Sequence, residues 1–274
     1  MDFKKRSIVV VGLLCLMMMS AASFAATKPL SFPYGMVVDS KGDLFVANYG
    51  QNNILVYGPN YNQLTAKTLV GLNGPQGVAL DSYGDVWACN FGDTTIAEFL
   101  PGKTNAVGAA FAVVPPTAIS IDGSNNLWVG GAQGLGVFDQ TGRLYTPVAQ
   151  KAGTLSYGLA THWGWVAMGG NSGQTLVTEI SALLLSATTL GTYLPGDGIA
   201  IGVDSSDNFY IANSDGSVNV YNPNTGAFKN FLTLAFTPGG IAVDSVRGRV
   251  YLSDSGNSKI LVYSTAGTLL HTIE

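Results

Sequence analysis

A motif that returns six times at intervals of 40 to 42 residues, period-two alternation inside each copy and little helical periodicity predict an all-β chain. The architecture expected is a six-bladed β-propeller of four-stranded antiparallel blades. The copies begin near residues 33, 75, 116, 156, 198 and 238. The first reads PYGMVVDSKGDLFVANYGQNNILVYG and the second PQGVALDSYGDVWACNFGDTTIAEFL. The next four open PTAISIDGSNNLWVGG, YGLATHWGWVAMGG, AIGVDSSDNFYIAN and PGGIAVDSVRGRVYLSD. Their anchoring residues, Asp39, Asp81, Asp122, His162, Asp204 and Asp244, stand 42, 41, 40, 42 and 40 positions apart. Six such units use up the chain and leave no room for a second domain.

Taken from the start, residues 1–25 read as a signal peptide. Lys4, Lys5 and Arg6 form a basic opening, residues 7–19 are apolar, and Ser23 and Ala25 supply small side chains for cleavage after Ala25. The apolar run is short for a bilayer span, which takes about 20 residues. Residues 26–274 are then the folded domain, secreted or periplasmic, with no stable membrane span after cleavage. Losing Asp2, Lys4, Lys5 and Arg6 from 17 acidic and 13 basic residues leaves a formal charge of −6. With no basic cluster beyond the leader, nucleic acid is excluded as a partner. Cys89 is the one cysteine left, so no internal disulfide can form.

Each copy reads as four strands, a to d. The GMVVD type is a, LFVAN is b, ILVY is c, and d is an apolar stretch such as residues 67–70 or 268–273. Between a and b, the Asp carboxylate can accept backbone N–H groups, and the last turn position needs a positive φ. Gly42 and Gly84 supply that freely, and Asn125 and Asp207 are the substitutes that tolerate it best. Phe45, Trp87, Trp128, Trp165, Tyr210 and Tyr251, the large residues of strand b, are expected between blades as core. Residues 27–32 are a candidate to pair beside the last blade. The stretch 180–185 is the one short segment with helical character.

The string P-x-G, apolar, A, apolar, D-x-x-G, then an aromatic strand ending in Asn or Asp resembles the NHL repeat over residues 33–263. Streptogramin-lyase-like and gluconolactonase-like secreted propellers look similar. The resemblance implies one channel mouth surrounded by the loops before strand a and after strand b. The x residues there are Tyr34, Gln76, Thr117, Tyr157, Ile199 and Gly239, and strand b closes on Asn48, Asn90, Gly131, Met168, Asn213 and Asp254. Tyr49, Phe91, Asp93, Asp197 and Asp215 lie alongside. The expected ligand-binding set is Tyr34, Asn48, Gln76, Asn90, Tyr157, Asp197, Asn213 and Asp254, making a polar, aromatic and mildly acidic mouth. For the Asn and Asp residues a second reading stands beside this one, in which they hold the b–c turn through side-chain-to-backbone bonds.

Catalysis finds little support in the residue types. Gluconolactonase-like propellers imply a channel metal held by Glu, Asn and Asp, yet only Glu98, Glu179 and Glu274 occur after residue 25, none at the start of a strand a. Lyases of this resemblance imply a Glu with closely spaced His residues. Only His162, in a turn, and His271, in the last strand, are present. Cys89 sits at a small-residue position of strand b with no base nearby in sequence. No cofactor is expected. Oxygen ligands from Asp197, Asp215 and Asp254, with Asn213, would allow Ca2+ or another divalent metal as the alternative. The sequence therefore favours a non-catalytic protein that binds a protein partner or small polar ligand. A metal-dependent hydrolase or lyase of the gluconolactonase-like or streptogramin-lyase-like type is the runner-up.

Overall fold

The computed structural model describes residues 29–107, 111–112, 115–131, 134–148, 158–170, 173–179 and 191–274. The proposed signal peptide, Tyr157 and the stretch 180–185 lie outside the described residues. Six antiparallel sheets follow one another along the chain in a propeller-like arrangement. The first contains β1 (Pro33–Val38), β2 (Leu44–Asn48) and β3 (Asn53–Tyr57). The second contains β4 (Pro75–Leu80), β5 (Val86–Asn90), β6 (Thr95–Phe99) and β7 (Phe111–Ala112). The third is built from β8 (Pro116–Ile121), β9 (Leu127–Gly131), β10 (Gly134–Phe138) and β11 (Leu144–Val148). The fourth is built from β12 (Gly158–His162), β13 (Trp165–Gly169), β14 (Gln174–Glu179) and β15 (Thr192–Pro195). The fifth has β16 (Gly198–Val203), β17 (Phe209–Asn213), β18 (Ser217–Asn222) and β19 (Ala227–Thr233). The sixth has β20 (Gly240–Asp244), β21 (Arg249–Asp254), β22 (Lys259–Ser264) and β23 (Leu269–Ile273).

The first sheet corrects one expectation. Its fourth strand, expected at residues 67–70, is absent; Thr65–Lys67 forms a 3-10 turn, and only single bridges join Leu69 to Ile54 and Gln63 to Tyr57. The Lys67 ammonium leaves the sheet to bond the buried Asp43 carboxylate at 2.5 Å. The expected turns form as read. The Asp39 Oδ1 atom accepts the backbone N–H groups of Lys41 at 2.9 Å and Asp43 at 2.8 Å, and Asp81, Asp122 and Asp204 repeat the pattern. The closing residues take positive φ, from 60° at Asn125 to 88° at Gly42.

The large strand-b residues fill the spaces between sheets. Trp87, Trp128, Tyr210 and Tyr251 are buried, while Phe45 and Trp165 are partly buried against neighbouring clusters. One cluster joins Met36, Val46 and Tyr57 of the first sheet to Ala242, Tyr251 and Val262 of the sixth. Burying side chains of this size contributes about 1.5–3 kcal/mol each. Backbone approach accompanies it. A Cβ on Gly35 would lie 2.6 Å from the Gln76 carbonyl oxygen, and one on Gly240 would collide with the Tyr34 carbonyl. In the first and sixth sheets the glycine of P-x-G thus permits this close approach to a neighbouring strand a, while Ala118 and Ala200 hold the same place in the third and fifth.

Residues 29–32 do not add a strand beside the sixth sheet. Leu30 is buried in the cluster shared by sheets one and six, the Ser31 N–H donates to Asn48 Oδ1 at 2.7 Å, and the Phe32 N–H donates to Ser258 Oγ at 3.4 Å. The Ser31 and Phe32 carbonyls accept the Gly50 and Tyr49 N–H groups at 2.9 and 3.3 Å, so the segment covers the seam without joining a ladder. Tyr61 adds to it, stacked on His271 at 4.3 Å with the Arg249 guanidinium 4.8 Å from its ring, while Arg249 also donates to the Pro59 carbonyl at 2.7 Å.

Candidate functional site

The P-x-G sequence has a geometric consequence beyond packing. In the first, second, third and fifth sheets the a–b register slips by one residue at this point: Pro33 faces Asn48 but Met36 faces Val46, and Pro75 faces Asn90 but Val78 faces Ala88. A bulge leaves one residue out of the ladder and re-aims its side chain. In the third and fifth sheets the residue put out of register is the x residue, and in the first and second the extra residue falls within the x-Gly pair.

Those x residues meet at a cavity of 480 Å³ lined by Tyr34, Gln76, Thr117, Ile199 and Gly239. Below them Met36, Val78, Ile119, Leu159, Ile201 and Ile241, one from each first strand, form an apolar wall. Thr237, Pro238 and Ser255 complete the rim. No Asp, Glu, Lys or Arg is among the described lining residues, so the described part of the lining is uncharged where the sequence led us to expect acidic residues. Tyr34 packs edge-on against Tyr49 at 5.6 Å, which fixes an aromatic edge on the rim. The Gln76 amide has no protein partner among the described residues and is half-buried, so its donors and acceptor are open to a ligand. Thr117 donates to the Gly130 carbonyl at 3.3 Å.

The residues that close strand b occupy other places. Asn48 is fully buried, accepts the Ser31 N–H, and donates to the Pro29 carbonyl and to Asn53 Oδ1, both at 2.9 Å. Asn90 accepts the Asn73 N–H at 2.5 Å and donates to Asp93 and Thr95. Asn213 donates to Ser217 Oγ at 3.0 Å, and its buried Oδ1 has no partner among the described residues. Asp254 accepts the Asn257 N–H at 3.1 Å and its side-chain amide at 2.8 Å. None of the four lines the cavity. Each spans the distance from strand b to the incoming or following loop, so the structure brings Tyr34 and Gln76 together and sets the Asn and Asp residues behind them.

The carboxylates considered for a metal are likewise spoken for. Asp197 accepts the Gly173 N–H, and Asp215 accepts both the N–H and the hydroxyl of Ser217, bonds that hold its pKa below the ordinary range. Among the described residues no group of three or more His, Cys, Asp or Glu side chains is placed to hold a metal ion. Cys89 is buried against Gly77, and burial pushes its thiol pKa up, away from nucleophilic character. His162 lies at the other end of the molecule, bonded to Asp207 at 2.6 Å.

At the other end of the first strands lies a smaller hollow of 240 Å³, lined by Val38, Leu80, Ile121, Thr161, Val203 and Val243 among others. The a–b turns surround it and bond to one another. Ser82 and Asn125 exchange two bonds, Ser205 N–H donates to Ser245 Oγ at 2.9 Å, and Arg247 donates to the Lys41 carbonyl at 2.6 Å. Sequence reasoning missed the wall and the rim residues Thr237 and Ser255. The signal for the wall was available, since these are alternate positions of strand a; Thr237 and Ser255 carry no repeat signature.

No protein-family model matches the chain, and no curated protein sequence does. Solved structures do match in shape. A streptogramin B lyase structure superposes with a TM-score of 0.63 at 13% identity, over 90% of this chain and 84% of that one. The fold is distantly related to these propeller-like structures. A chain of a nidogen/laminin complex gives 0.66 at 13% identity, over 81% and 90%. Hydrazine synthase from Kuenenia stuttgartiensis gives 0.63 at 11% identity, over 89% and 99%. A lyase, a component of a complex and a synthase share this shape, so shape alone does not select a function.

Proposed function

We propose that the chain is an exported, non-catalytic binding protein. In this reading the six sheets are blades of a closed NHL-type propeller, released after removal of residues 1–25. Its ligand is an uncharged small molecule, or the equivalent side chain of a partner protein, with an apolar body and a hydrogen-bonding group. The observation that carries the reading is the 480 Å³ cavity in which five x residues converge above an apolar wall, with no ionised group among the described lining residues. An apolar body would replace water against Met36, Ile119 and Ile201, while the Gln76 amide and the Tyr34 hydroxyl would fix its polar end. A charged ligand would lose hydration with nothing opposite to compensate.

A thermal-shift screen of neutral, cationic and anionic compounds of matched size tests this. Neutral compounds are expected to raise the melting temperature, and Tyr34→Phe and Gln76→Ala to reduce the gain without changing the unliganded melt. Lactone turnover by the purified protein, lost on Asp197→Ala or Asp254→Ala, would overturn the non-catalytic reading.

A further inference from the structure

Among the described residues the three most exposed large apolar side chains are Tyr83, Trp163 and Val246, at 71%, 79% and 81%. All three sit at the apex of an a–b turn, in the second, fourth and sixth sheets. The intervening sheets present Lys41, Ser124 and Ser206 there. Because the turns are hydrogen-bonded to their neighbours, these apices share one face, opposite the cavity mouth. That face carries three separated apolar tips in a polar belt.

Turn chemistry does not account for them. A two-residue turn with positive φ at both central positions favours Asn followed by Gly. The turn between β12 and β13 instead has Trp163 at φ 42° and Gly164 at φ 91°. A bulky residue in the left-handed region is strained. Apart from an edge contact with His162 at 5.7 Å, the Trp163 indole stands in water. Strain and exposure at one residue, on the same face as two more exposed apolar tips, mark a surface completed by something else.

We propose that this face docks on the interfacial zone of a neutral or zwitterionic lipid bilayer, with Tyr83, Trp163 and Val246 as the inserted tips. Trp and Tyr favour the membrane–water interface, where one part of the ring is apolar and the other wet. Three isolated tips suit a deformable plane. A protein interface would instead need a contiguous apolar core, and Lys41, Ser124 and Ser206 interrupt one here. Charge selects the kind of surface. The turns carry Asp39, Asp81, Asp122, Asp204, Asp207 and Asp244 against Lys41 and Arg247, an excess that repels anionic lipid and a second copy of the same face. Docked in this way, the ring would present its cavity mouth to solution.

The test uses the full chain with phosphatidylcholine vesicles, some brominated in the acyl chains, and Trp emission as readout. Trp87 and Trp128 are fully buried and Trp165 is partly buried, so lipid-dependent quenching reports Trp163. The expected results are quenching in the native chain and unchanged binding with less quenching for Trp163→Phe. The triple variant Tyr83→Ser, Trp163→Ser, Val246→Ser should bind at least tenfold more weakly with an intact melting transition. Any binding through residues 1–28 is common to all these proteins and cancels in the comparison. Phosphatidylglycerol in the vesicles should weaken native binding. Absence of quenching, or equal binding by the triple variant, overturns the proposal. Trp163 emission that ignores lipid but shifts on mixing with a protein would assign the face to a protein instead.

Discussion

The same repeat builds the hollows at both ends of the first strands, and the two ends use it differently. At the turn end each Asp accepts backbone N–H groups two and four residues on, as Asp39, Asp81, Asp122 and Asp204 all do. Those positions are repeated because the turn needs them. At the mouth end the x position changes from Tyr34 to Gln76, Thr117, Ile199 and Gly239 while the bulge beneath it recurs in four sheets. There the backbone is fixed and the side chain is free to vary. A repeat shows its function where identity departs from the pattern while geometry is kept, and the strained Trp163 is such a departure at the turn end.

The largest effect should come from breaking the backbone approach that aligns the strands. Gly240→Ala drives a methyl into the Tyr34 carbonyl at the seam between the sixth and first sheets. Backbone cannot move aside as a side chain can, so a loss of about 3 kcal/mol is expected. Chemical denaturation measures it. Asn48→Ala comes next. It leaves the partly buried Ser31 N–H without its acceptor and empties the buried site of the Asn48 amide, at a cost of about 2 kcal/mol. For a chain of this size that lowers the melting temperature by about 4–8 °C. Gln76→Ala, which breaks no protein bond, should leave the melt unchanged. Equal destabilisation by the two substitutions would erase the distinction between support and mouth.

A smaller effect with a defined sign lies in the second sheet. Asp85 occupies the place of Asp43 but, among the described residues, has no cation such as Lys67 opposite it, and its buried Oδ1 has no hydrogen-bond partner there. Burial, then the neighbouring Asp81, raises its pKa above the ordinary carboxyl range. As pH rises from that range through the raised folded value, the folded chain holds a proton the unfolded chain has lost. Asp85 therefore contributes less stability as the pH increases. Asp85→Asn removes this slope. It is expected to raise the melting temperature by about 2–4 °C at pH 7, and by less near pH 4.

Much of this was written in the chain. The strands a, b and c, the Asp turns and the core placement of Trp87, Trp128 and Tyr251 follow from alternation, turn chemistry and size. The fourth strand of the first sheet did not follow. Lys67 reads as part of an apolar strand, yet the buried Asp43 draws its ammonium out of line. The mouth was half legible. The x positions could be placed from the repeat, but an Asn such as Asn48 reads equally as a ligand contact or a loop support. Only the positions of Pro29 and Ser31, distant in sequence, decide which bonds it makes. The loss of charge from the lining depended on Asp197 and Asp254 turning toward Gly173 and Asn257, which no local pattern announces.

The most direct measurement is a methyl spectrum of isoleucine-labelled protein, titrated with neutral and charged fragments. Neutral fragments should move the methyl signals of Ile119, Ile199, Ile201 and Ile241, which line the cavity, and leave Ile54 and Ile260 between the sheets in place. Stronger shifts from charged fragments, or shifts confined to residues outside the cavity, would contradict an uncharged binding mouth.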